Sequence, residues 1–122
     1  MQLKEIVSAI PALSKLASAN LRLKTAYALK QTADILQKEV DFFEQERQKI
    51  LEKYGKVQED GSVLIPVEQR TKAEEEYARL LSMEVQPEFS RLRISLSEDA
   101  KLSVNDLSLL APFADFVEDK EE

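Results

Sequence analysis

Carboxylates are the only abundant side chains that could carry acid–base chemistry in this 122-residue chain, which has 23 Asp/Glu and neither histidine nor cysteine. A Ser-His-Asp triad, a cysteine nucleophile, a Cys/His zinc site and a disulfide are therefore closed to it. Catalysis by paired acids needs two carboxylates converging on one rigid site. The clusters here do not converge: Glu74, Glu75 and Glu76 spread around a helix, and Glu59 and Asp60 fall in a turn. No Asp-x-Asp/Asn-x-Asp/Asn-Gly loop offers a cage for a hard cation. Glycine occurs only at Gly55 and Gly61, which excludes the Gly-rich loops that cradle phosphates. The sequence thus assigns no catalytic, cofactor-binding or metal-ligating residue, and the expectation is a non-enzymatic protein.

The elements carry more information than the reactive groups. With 43% hydrophobic and 33% charged residues, the composition is that of one charge-rich helical domain over residues 1–122, with no run long enough to span a bilayer. Glu5, Pro11, Ser14 and Lys15 interrupt the first apolar stretch, so it does not read as an export signal. We expect an intracellular chain whose first residues belong to the fold. Leu3, Ile6, Ile10, Leu13 and Leu16 share one helical face, with a break expected near Pro11.

The strongest periodicity follows. Ala26, Leu29, Ala33, Leu36, Val40, Phe43, Arg47, Ile50 and Tyr54 alternate three- and four-residue steps, a heptad seam on one long helix beginning after Asn20. Gly55, free to adopt positive φ, should close it. Such a helix is about 50 Å long. Ile35 and Phe42 widen the seam, and Asp34–Lys38 and Glu52–Lys56 have the spacing of helical ion pairs. Only a short helix returns, so an apolar strip around Leu29, Leu36 and Phe43 should face water unless a second copy or a partner covers it. Leu29, Leu36, Val40, Phe43, Arg47 and Ile50 are therefore the candidate interaction seam. Arg47 within it either packs its stem beneath a solvated guanidinium or fixes register.

Beyond Gly55, Asp60-Gly61 between β-prone runs predicts a two-residue hairpin. Pro66 suits the start of a return helix with Ala73, Tyr77, Leu80 and Leu81 on one face and Glu75 spaced to pair with Arg79. After Pro87, Phe89, Leu92, Ile94 and Leu96 suggest an extended segment that could join the hairpin. Ser103-Val104-Asn105-Asp106 has the form of a helix cap, and residues 118–122 read as an acidic, solvated tail.

Charge is divided unevenly. Residues 1–56 hold ten Lys/Arg and seven Asp/Glu, whereas 57–122 hold seven and sixteen, so the halves carry +3 and −9. The lysines are interleaved with apolar positions rather than gathered on a face with aromatic readers, which does not favour direct nucleic-acid binding. The acidic half could instead dock on a basic protein surface.

Several stretches resemble a family of small phage and prophage proteins of Gram-positive bacteria, a domain of unknown function. They are Ala9-Ile10-Pro11-Ala12-Leu13, Lys24-Thr25-Ala26-Tyr27, the run Phe43 to Gly55, Glu59-Asp60-Gly61, Leu80 to Val85, and Leu102 to Leu107 followed by Pro112-Phe113. That resemblance implies a viral origin and synthesis in the host cytoplasm, and transfers no site residue. The expected fold is mainly α with a small β-hairpin: a long heptad-bearing helix, the hairpin, a shorter return helix and a short C-terminal strand and helix. The expected role is a protein–protein interaction module without membrane attachment. It would be either a tail, baseplate or assembly accessory, or an inhibitor that binds a host enzyme or defence protein through its acidic surface.

Overall fold

The computed structural model describes residues 1–118. Within them lie helices α1 (Leu3–Ala17), α2 (Leu23–Tyr54), α3 (Val67–Leu81) and α4 (Val104–Leu110). Short strands β1 (Lys56–Val57) and β2 (Val63–Leu64) pair antiparallel, and β3 (Leu92–Ser95) and β4 (Ala114–Val117) pair parallel. The fold is mainly helical with a small hairpin, as the sequence implies. Of the acidic tail, only Glu118 falls within the described residues, where it is exposed.

The long helix is the axis of the molecule. Its 32 residues span about 48 Å, and two 15-residue helices of about 22 Å each lie along it. Helix α1 covers the N-terminal part and α3 the C-terminal part. Leu16 shares a cluster with Leu29, while Leu3, Ile6 and Ala9 share one with Leu36 and Phe43, so α1 runs antiparallel to α2. The aromatic edge contact Phe43–Tyr77, with ring centroids 6.0 Å apart, and the Lys53–Glu76 ion pair of 2.8 Å place α3 beyond it.

The two short helices meet end to end. The Leu3 amide donates to the Met83 carbonyl at 2.8 Å, the Val85 amide donates to the Met1 carbonyl at 2.8 Å, and the terminal ammonium reaches Glu84 at 3.2 Å. Carbonyls just past the end of α3 thus satisfy donors at the start of α1, and the helix dipoles align head to tail.

Helix α1 is the most deeply buried element. Leu3, Ile6, Ala9, Ala12 and Leu16 are fully inaccessible and contribute to both apolar clusters. Pro11 does not break it. The proline sits inside the helix with its ring exposed, so the missing donor lies on the solvent side while the opposite face remains packed.

The second cluster closes the other end: Leu92 and Ile94 from β3, Leu110 from α4 and Ala114 from β4 pack on Ala12, Leu16 and Leu29. Ser103 caps α4 as expected. Its hydroxyl accepts from the Asp106 amide at 3.0 Å, and the Asp106 carboxylate accepts from the Ser103 amide at 2.9 Å.

Several local expectations are corrected. The hairpin loop has three residues, not two: Gln58 N–H donates to Ser62 O at 2.7 Å, and Gly61 holds φ +85°. That geometry is the type I turn with a bulge that follows the two-residue form in frequency. Gly55 ends α2 in an extended conformation with φ −93°, so close packing rather than positive φ calls for glycine there. A Cβ would collide with the Val63 side chain and the Leu51 carbonyl. Strand β3 joins β4, not the hairpin, with Leu92 opposite Ala114 and Ser95 opposite Val117. The anticipated helical pairs are replaced: Asp34 binds Lys30 at 3.0 Å, Glu52 accepts from Gln48 at 3.4 Å, and Glu76 rather than Glu75 forms the α3 ion pair.

Candidate interaction surfaces

The seam residues are brought together, but largely inside the chain. Leu29, Leu36 and Phe43 are 5%, 2% and 4% exposed, held by α1, α3 and β3. Val40 and Ile50 are half-buried against the first cluster. Arg47 turns outward, its guanidinium 2.9 Å from Glu44. The strip expected to face water is therefore covered by α1, α3 and β3 of the same chain. Ile35 and Phe42, read as widening the seam, point elsewhere: Ile35 into a groove described below, and Phe42 partly to solvent.

The acids singled out in the sequence diverge in space as well. Glu76 reaches Lys53, which holds its carboxyl below the usual range; Glu74 and Glu75 are exposed. Asp60 accepts from the Ser62 hydroxyl at 2.6 Å and the Ser62 amide at 2.9 Å, bonds that lower its pKa and stiffen the loop. Among the described residues no group of three or more Asp/Glu is placed to hold a metal ion. No helix there is long and apolar enough to cross a membrane.

What the fold leaves open lies at two places. The first is the β1–β2 ribbon where α2 turns into α3. Val57 and Val63 face each other across it with 75% and 40% exposure, Leu64 is 54% exposed, and Val67 on the next turn is 73% exposed. Neither apolar cluster includes any residue of this ribbon. A ribbon of two paired residues per strand gains little in water without a packed face. Its apolar side chains are presented outward from the end of the long helix.

The second is a groove of about 1220 Å³ between the N-terminal half of α2 and β3. Ala28, Thr32 and Ile35 line it from α2, and Leu92 from β3. At its α2 end the Glu98 carboxylate accepts from the Arg22 amide at 3.1 Å and the Thr25 hydroxyl at 3.0 Å. On the β3 side Arg91 is locked in place: its guanidinium donates to the carbonyls of Ala111, Pro112 and Ala114 and pairs with Asp115 at 2.9 Å. Asp115 is held below its ordinary pKa by Arg91 foremost, with Arg93 contributing from farther away.

Neither surface was identified from the sequence. The ribbon's valines read there as strand formers, and the groove needs the tertiary pairing of two segments about 60 residues apart. Comparison with protein-family models, with curated proteins and with solved structures finds no match to this chain.

Proposed function

We propose that the chain is a non-enzymatic protein–protein interaction module of a phage, most simply an accessory of virion structure or assembly, with the β1–β2 ribbon as the element that meets its partner. One observation carries this reading: the ribbon exposes Val57, Val63 and Leu64 while contributing nothing to its own chain's core. Burying such side chains against another protein would contribute about 1.5 to 3 kcal/mol for each one fully covered. The ribbon stands at the end of a helix anchored by two apolar clusters, so it is presented on a rigid mount. The phage assignment rests on the sequence resemblance described above.

The test is mass spectrometry of purified virions and assembly intermediates together with affinity capture from infected cells. The expected result is the protein at structural copy number in particles or their precursors, or stable capture of a tail or capsid subunit. That capture should be lost in a Val57→Ser/Leu64→Ser double variant of unchanged thermal stability. Absence from all particles, with stoichiometric capture of one host protein, would replace this reading with that of a host-directed inhibitor.

A further inference from the structure

We draw no further inference here: the strongest candidate, the groove between the N-terminal half of α2 and β3, has Glu98 and Arg91 already matched by Arg22 and Asp115 and the Ser95 carbonyl already bonded to the Glu98 amide, and nothing in the structure shows what covers it.

Discussion

Glu98 fills a place that local sequence leaves empty. Helix α2 begins without a side-chain cap at Arg22 and without an acid in its first turn, so its first amides lack a local acceptor. One of them, the Arg22 amide, is met by the Glu98 carboxylate from a loop more than 70 residues away, whose side chain is 3% exposed and also accepts from the Thr25 hydroxyl. We expect Glu98→Ala to lower stability by about 1 to 2 kcal/mol, the usual range for losing a helix cap, with Glu98→Gln retaining part of it. Chemical denaturation reads the difference; an unchanged midpoint in Glu98→Ala would remove the cap from the account. Asp106 is the counterpart at α4, buried and 2.7 Å from Lys15. Lys15, then the Ser103 amide, hold its carboxyl below the ordinary value. A carboxylate depressed in the folded state stabilises above its unfolded pKa, about 3.9, and that contribution is lost as pH falls toward the folded value. Melting temperatures of the wild type should therefore fall more steeply below about pH 4 than those of Asp106→Asn. Parallel curves would show that Asp106 does not contribute to acid sensitivity.

At the scale of elements, two substitutions on neighbouring helices should act in opposite directions. Pro11 is exposed inside α1, where it removes a main-chain hydrogen bond and has a low helix propensity. Pro11→Ala should raise stability by up to about 3 kcal/mol. Leu36, 2% exposed where α1, α2 and α3 meet, should cost about 2 to 5 kcal/mol when cut to alanine. A destabilised Pro11→Ala in thermal melts would mean that the proline is built into the packing of α1. The same helices show what periodicity reveals. The seam of α2 and its stop at Gly55 were legible because a long amphipathic repeat is a local signal. What covers the seam was not. Ala9 and Ala12 are as buried as Leu16, and such small residues mark a close helix contact without standing out as apolar. Strand β4 was missed for a related reason: four residues paired in parallel with a segment some 20 positions earlier leave no turn between them to read. Gly55 was found for the wrong cause, since steric closeness to Val63 depends on the hairpin folding back.

For the whole molecule, the distribution of burial predicts how it opens. Helix α1 belongs to both clusters and touches α2, α3 and α4, so exposing it requires most of the core to come apart. The ribbon has no apolar contact to lose with either cluster, and its loop is held by Asp60 and a few hydrogen bonds. Local opening free energies range from near zero at such places to the full unfolding value in the core. Native-state hydrogen exchange should therefore show the amides of Ile6 to Leu16 exchanging only through global unfolding, with a strong dependence on added denaturant. Strand amides of β1 and β2 should exchange orders of magnitude faster, with little dependence. If the ribbon were as protected as α1 in the isolated chain, something would already be packed on it, and the proposed partner surface would have to be reassigned as a contact between copies. Addition of the true partner should instead slow exchange in the ribbon while leaving α1 unchanged, because α1 is already limited by the stability of the whole fold.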